Sequence, residues 1–378
     1  MKIKKIELFH IRMPLNFIFK TSQTNLNYRE TLIIKIADET GITGFGEVVA
    51  FNEPFYTKET LADAKRVLIE VYIPWLTKTG QSGHSPIRHP FEVHKEIGLR
   101  YPMALAGLEN ALLDLFARQQ EKPLMAVVFG ETTTTKIEAG MVLGDLEINE
   151  LLSQIGRYYD EGYRRFKIKI KPADGYRKLQ KIREKYPHLM LLADANRSFG
   201  TEDISELLKI DALGLMCLEE PLIDTLPGKR MAVYQDLQSQ LRTPLCLDES
   251  ILTMDDLEEA VRYKACRTVN IKTGRVGGLY HVKKMIECCR RNGIGYWIGS
   301  MVESGISKIL HVHLASLMDT YIPGDLSPSR RYFTSDLIEP EIVVKDGKID
   351  VPQGPGLGIA VDEAMLAHYT IDQHAMEK

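Results

Sequence analysis

The sequence has no Cys-x-x-Cys pair, and its five cysteines, Cys217, Cys246, Cys266, Cys288 and Cys289, are odd in number. That usage argues against a zinc site and a disulfide framework, and for reduced thiols in a cytoplasm. Long apolar runs are missing too. No segment is continuous enough to span a bilayer, and the opening MKIKKIELFHI alternates charged and apolar residues like a strand, without the apolar core of a secretion signal. Neither sign of charge dominates: 48 Lys+Arg stand against 51 Asp+Glu, which leaves no field for nucleic acid or an anionic membrane. What remains is a chain of 378 residues, 44% hydrophobic, long enough for one large domain and a smaller one. A small molecule is the expected partner and a homo-oligomer the expected assembly.

From about residue 136 short apolar runs alternate with charged amphipathic stretches, the rhythm of repeated β/α units. Seven runs are readable: KIEAGMVLG, RRFKIKI, LMLLADAN, LGLMCLEEPL, TPLCLDES, RTVNIKTG and GIGYWIGS. An eighth, TYIPGDLS, is weaker. The count predicts a modified (β/α)8 TIM-type barrel with an irregular last unit, (β/α)7β, over residues 126–325. Residues 1–125 read as an α+β capping domain. Beyond it, PEIVV and KIDV around the turn KDGK predict that residues 326–378 return to complete the cap.

Barrels of this kind carry their functional groups at the C-terminal ends of the strands. Those ends hold Lys169, Asp194 with Asn196 two on, Glu219, Asp248 and Lys272, spaced by 24 to 29 residues, one unit each. Any one acid there could be a helix N-cap. Three in register converge, and like charges so placed are unfavourable unless a cation lies between them. With oxygen ligands and no histidine at these ends, Mg2+ leads and Mn2+ is second.

In RRFKIKIKP, strand alternation puts Lys167, Lys169 and Lys171 on one face and Phe166, Ile168 and Ile170 on the other. A solvated cationic face fits this alternation, and so does a lysine pair inside the barrel, where Lys167 lowers the proton affinity of Lys169. Lys272 lies across the barrel from Lys169. A substrate chelated between two amines is set up to lose a proton from carbon next to a carboxylate.

These residues resemble the o-succinylbenzoate synthase and N-succinylamino acid racemase group of the enolase superfamily. The resemblance is carried by KIK, DAN, EEP, LDES, NIKTGRVGG and GSMVESGIS, and extends through RETLIIKI, GFGEVVAFNEPFYTKET and PGDLSPSRRYF over nearly the whole chain. It implies Asp194, Glu219 and Asp248 as metal ligands, Lys169 as base, Lys272 as its opposite partner and Lys167 as the group that tunes Lys169. Glu220 replaces a glutamine common before the proline in relatives; with Glu249 it would bear on the electrostatics around the metal. Asn196, the small strand end Gly299, Ser300 and Met301, and the cap loops KTSQTN with Ser22 and FNEPFY with Tyr56 are the expected substrate contacts. Closure of those loops would exclude water.

Arg275, three residues after Lys272, is expected to lower the lysine's pKa and make it a competent base. Among relatives an arginine there looks like the branch in which racemisation accompanies or replaces the synthase reaction. The resemblance therefore implies a synthase of menaquinone formation acting through an enediolate, with N-succinylamino acid racemase capacity; a dedicated racemase is the alternative. A Schiff-base aldolase would use Lys169 as nucleophile but gives the acids no task. A silent barrel acting as a binding protein would be expected to lose part of the charged set.

Overall fold

The computed structural model describes residues 1–20, 25–78, 87–131, 133–223 and 229–377. The chain opens with three antiparallel strands, β1 (Ile3–Lys20), β2 (Asn25–Asp38) and β3 (Thr43–Val48). Asp38 makes the β2–β3 turn by accepting the Thr40 and Ile42 amides at 2.9 and 3.0 Å. The helix Pro102–Gln119 lies on this sheet with most of its residues buried. GFGEV explains the close fit: a Cβ on Gly44 would stand 2.3 Å from the Leu115 nitrogen, and one on Gly46 2.1 Å from the Gly107 carbonyl oxygen.

The expected short runs are strands. KIEAGMVLG divides into β4 (Lys136–Glu138) and β5 (Gly140–Leu143); then follow β6 (Arg165–Lys169), β7 (Met190–Asp194), β8 (Cys217–Glu219), β9 (Leu245–Leu247), β10 (Thr268–Ile271) and β11 (Gly295–Ile298). β5 to β11 form one seven-stranded sheet in sequence order with parallel pairing throughout. Strand alternation sorts their side chains. Phe166, Ile168, Leu191, Ala193, Leu218, Leu245, Leu247, Val269 and Ile271 join the large core, while Leu192, Cys217, Cys246 and Trp297 form a separate small cluster with Ile322. The first set faces the helices; the second fills the barrel below the strand ends.

The weak eighth run completes the wall as an irregular segment. Tyr321 N–H donates to Tyr296 O at 2.8 Å and Asp325 N–H to Ile298 O at 3.0 Å, alongside β11. A Cβ on Gly140 of β5 would come within 2.3 Å of the Gly324 carbonyl oxygen, so a glycine lets the two edges meet.

The tail makes two departures from expectation. β12 (Ile338–Glu339) pairs with β14 (Ala360–Val361), and KIDV contributes β13 (Lys348–Asp350), which pairs with β4 and not with the cap sheet. The return to the cap is made later, by β15 (Thr370–Glu377) antiparallel to β1, giving the order β15-β1-β2-β3. PEIVV begins where β12 ends and adds no strand of its own beyond Glu339.

Candidate active site

The strand registers set the site. Lys169 is opposite Asp194 and Asp194 opposite Glu219, so three charged groups stand abreast on β6, β7 and β8. Asp248 follows β9 and Lys272 follows β10. Lys169 Nζ donates to Asp194 Oδ2 at 2.6 Å and to Asn196 Oδ1. One inward position deeper, Lys167 Nζ lies 3.1 Å from Glu219 Oε2, 3.3 Å from Asp194 Oδ2 and 2.6 Å from Asp325 Oδ2. The Trp297 ring, 4.9 Å from the Lys167 ammonium, floors the site.

Across the barrel, Lys272 Nζ donates to Asp248 Oδ2 and to Tyr56 Oη, each at 2.8 Å. Arg275 donates to Asp248 Oδ1, to Tyr56 Oη at 2.7 Å and to Asn270 O at 2.9 Å. Tyr56 comes from the cap, on a segment fastened at both ends. Arg29 donates to the carbonyls of Val49 and Ala50 at 2.5 and 2.8 Å and lies 4.2 Å over the Phe51 ring. Asn52 donates to Glu30 at 2.6 Å, and Glu59 accepts the Met103 and Ala104 amides at 2.8 and 2.9 Å.

Burial opposes every charge here, and neighbours decide the outcome. Against its burial, Lys169 and Lys167 hold the Asp194 carboxyl below its usual range. Burial and repulsion from Asp194 push Glu219 far up despite Lys167. Burial, with Asp248 and Glu220 beside it, raises Glu249 to about 7. For Lys167 the burial penalty is outweighed by Asp325, Glu219 and Asp194, and the ammonium is held charged.

Asp194, Glu219 and Asp248 bring three buried carboxyl groups to adjacent strand ends, and Glu249 Oε2 is a buried acceptor with no hydrogen-bond partner among the described residues. An all-oxygen donor set of this kind fits a hard divalent cation.

Several expectations need correction. Arg275 does pull the Lys272 pKa down, as does burial, but Asp248 and Tyr56 outweigh both and the pKa is raised. Lys171 is not a third interior lysine: β6 stops at Lys169, and Lys171 pairs outside with Asp145 at 2.7 Å. The amides at the end of β11 are spent within the chain, Gly299 N–H on Ile271 O at 3.0 Å and Met301 N–H on Glu303 Oε2 at 2.5 Å. Ser300 Oγ also donates to Glu303, at 2.8 Å, and the Met301 side chain packs into the cap core. Gly299 is small for another reason: a Cβ would stand 2.2 Å from Asn270 Oδ1 and 2.9 Å from Lys272 Cε. Ser22 lies outside the described residues.

Asn196 does reach the site, donating to Glu249 Oε1 at 3.0 Å while accepting from Lys169; its φ of +42° is one asparagine tolerates well. Glu220 acts away from the carboxylate trio. At φ +40° its side chain accepts the amides of Asp248 and Ser250 at 2.9 and 2.6 Å and the Tyr234 hydroxyl at 3.0 Å, fixing the turn that carries Asp248. His311 and His313 go to separate partners, Glu303 and Leu357 O.

Sequence reasoning passed over Asp325, which pairs with Arg165 and Lys167, each at 2.6 Å. Its signal was present: it lies within the weak eighth run, TYIPGDLS, one unit beyond Gly299. Asn270, which donates to Glu219 Oε1 at 2.9 Å, was hidden inside its strand by the same alternation that aims it inward.

A capping sheet over a parallel barrel, with acids on consecutive strand ends between two lysines, defines an enzyme of the enolase superfamily. Residues 4–128 match the mandelate racemase / muconate lactonizing enzyme N-terminal domain, and residues 150–365 the enolase C-terminal domain-like family. The chain is 38% identical to an o-succinylbenzoate synthase of Bacillus subtilis (strain 168), over 97% of this chain and 96% of that one. It is 34% identical to an N-succinylamino acid racemase of Thermus thermophilus, over 100% of this chain and 99% of that one. An enolase superfamily member from Listeria innocua superposes with a TM-score of 0.92 at 33% identity, covering 100% of this chain and 99% of its own. Within the superfamily, this chain belongs to the o-succinylbenzoate synthase / N-succinylamino acid racemase family.

Proposed function

We propose that the protein is an o-succinylbenzoate synthase, dehydrating 2-succinyl-6-hydroxy-2,4-cyclohexadiene-1-carboxylate, and that it also racemises N-succinylamino acids. The observation that carries the reading is the placement of Lys169 and Lys272 on opposite sides of Asp194, Glu219 and Asp248. Those three acids hold a divalent cation, Mg2+ first and Mn2+ as substitute. When bound, the cation supplies Lewis-acid stabilisation of charge on the substrate carboxylate.

The protein's own groups do the rest. Lys169 takes the proton from carbon next to the carboxylate, and in the dehydration it returns that proton to the departing hydroxyl on the same face. Lys272 faces the other side, as a fixed ammonium in the dehydration and as the second proton carrier in racemisation. Lys167, held charged by Asp325, Glu219 and Asp194, keeps a fixed positive charge one inward position below Lys169. Tyr56, with the cap built from residues 1–125 and the returning strand β15 over the barrel, excludes water from the reacting face. The enzyme works in the cytoplasm, as a homo-oligomer.

The test is an assay of the purified protein with Mg2+ on the cyclohexadiene precursor and, separately, on N-succinyl amino acids of both hands. Turnover of the precursor supports the synthase, and racemisation without it leaves a dedicated racemase. Lys169→Ala should stop turnover and solvent deuterium incorporation on its face; unchanged turnover in that variant refutes the assignment.

A further inference from the structure

Glu109 belongs to the cap helix Pro102–Gln119, yet its carboxylate serves the barrel. It is fully buried, and its Oε2 accepts the Leu279 amide at 2.5 Å while Oε1 accepts the Tyr280 amide at 2.9 Å. Ring nitrogen Nε2 of His94 lies 2.8 Å from Oε1. The two amides open the helix Leu279–Asn292, whose N-cap position, Gly278, has no side chain to offer them. Gly278 has φ +103°, and a Cβ there would stand 2.1 Å from Glu109 Oε2, so glycine is required twice over.

The segment from Lys272 to Gly278 is therefore held at both ends, by β10 and by a helix start bonded to the cap. Between them, a Cβ on Gly274 would stand 2.4 Å from Val49 Cγ2 of the cap, and Gly278 N–H donates to Thr273 O at 2.9 Å. After Lys169 the chain is tied within the barrel instead, where Lys171 and Lys178 both pair with Asp145 at 2.7 Å.

We propose that Glu109 is a positioning residue for Lys272 and not for Lys169: the cap sets the place of one lysine through a carboxylate that caps the helix following its loop. This rests on the two-lysine reading above. Loosening the cap then impairs proton transfer on one face of the substrate and spares the other.

The test follows α-proton exchange in D2O by NMR, for each hand of an N-succinyl amino acid with the Mg2+-loaded protein. Lys272→Ala and Lys169→Ala assign each hand to its lysine. Because a misplacement of about 1 Å can cost about 100-fold, Glu109→Gln should slow the Lys272-facing hand about 10-fold or more and the other less than about 3-fold. Gly278→Ala should show the same asymmetry. Asp114→Asn is the control: Asp114 is equally buried and accepts the Phe45 and Leu357 amides at 3.0 and 2.8 Å, away from this loop, so it should affect both hands alike. If Glu109→Gln fails to fold, His94→Phe removes one of the three bonds and keeps a ring against Tyr280, 4.5 Å away, and carries the same test. Equal slowing of both hands in Glu109→Gln overturns this proposal alone. A wild-type protein that exchanges neither hand overturns the two-lysine reading and this proposal with it.

Discussion

The Tyr56 hydroxyl accepts a hydrogen bond from Lys272 at 2.8 Å, joining the cap to the strand end where the sixth barrel strand delivers its lysine. The same oxygen accepts from Arg275 at 2.7 Å, and the Lys272 ammonium lies 4.8 Å from the phenol ring centre. Tyr56→Phe keeps the ring but removes one acceptor from each of two buried cations, leaving Lys272 on Asp248 and Arg275 on Asp248 and the Asn270 carbonyl. Hydrogen bonds to charged groups are worth about 1.5–3 kcal/mol, so racemisation should slow roughly 10- to 100-fold. Steady-state rates of the two proteins check it, and an unchanged kcat removes Tyr56 from the machinery.

Asp194→Asn, Glu219→Gln and Asp248→Asn should each abolish turnover while leaving the barrel folded. Changing a partner of a metal ligand already costs about 10- to 100-fold, so loss of a ligand should cost more. Mg2+ titration by calorimetry should show weakened binding in all three, with near-ultraviolet circular dichroism unaltered. Full activity after exhaustive chelation would contradict the assignment of these acids.

The parts of this molecule that could be read from sequence are those governed by local periodicity. Lys169, Asp194, Glu219, Asp248 and Lys272 recur once per β/α unit, Lys167 stands two residues before Lys169 on the same strand, and alternation fixes which face each side chain takes. Asp325 escaped because its segment follows β11 through backbone bonds without alternating side chains. The KIDV strand was seen, but nothing in a strand's own pattern says whether it will join the cap or, as here, β4. Glu109 and Glu47 were invisible for a related reason. Glu47, on β3, accepts the Ser304 and Ser307 amides at 3.0 and 3.1 Å across more than 250 residues of chain, so only the assembled cap brings carboxylate and helix start together. Arg275 was placed near Lys272 from spacing alone, but the sign of the result depended on Asp248, which the tertiary fold adds.

Glu59 provides a pH dependence that stands apart from the metal site. Burial raises its carboxyl to about 7, against backbone amides of Met103 and Ala104 that favour the charged form. A folded-state pKa above the unfolded value of 4.5 means that this group's stabilisation is complete below about pH 4.5 and is lost as pH rises through about 7. The shift corresponds to a few kcal/mol, on the order of 3. Denaturant unfolding of wild type and Glu59→Gln between pH 5 and pH 8 should therefore show the wild type losing stability relative to the variant as pH rises. A difference between the two that does not change with pH excludes this carboxyl as its source.

Arg275→Met should separate the two reactions. Arg275 occupies Asp248 Oδ1 and the Asn270 carbonyl, leaving Oδ2 for Lys272 at 2.8 Å, so the guanidinium helps to fix where Nζ stands. In the proposed mechanism dehydration asks Lys272 only for positive charge, and Coulomb attraction falls off gently with distance. The proposed racemisation asks it to carry a proton to and from carbon, which demands hydrogen-bond reach and correct direction. A displacement of about 1 Å can cost about 100-fold in such a step, so racemisation should fall roughly 100-fold and dehydration roughly 10-fold or less. Parallel assays of Arg275→Met on the cyclohexadiene precursor and on both hands of an N-succinyl amino acid measure the ratio. Equal losses in the two reactions would mean that Arg275 supports the fold of the loop without discriminating between the tasks of Lys272.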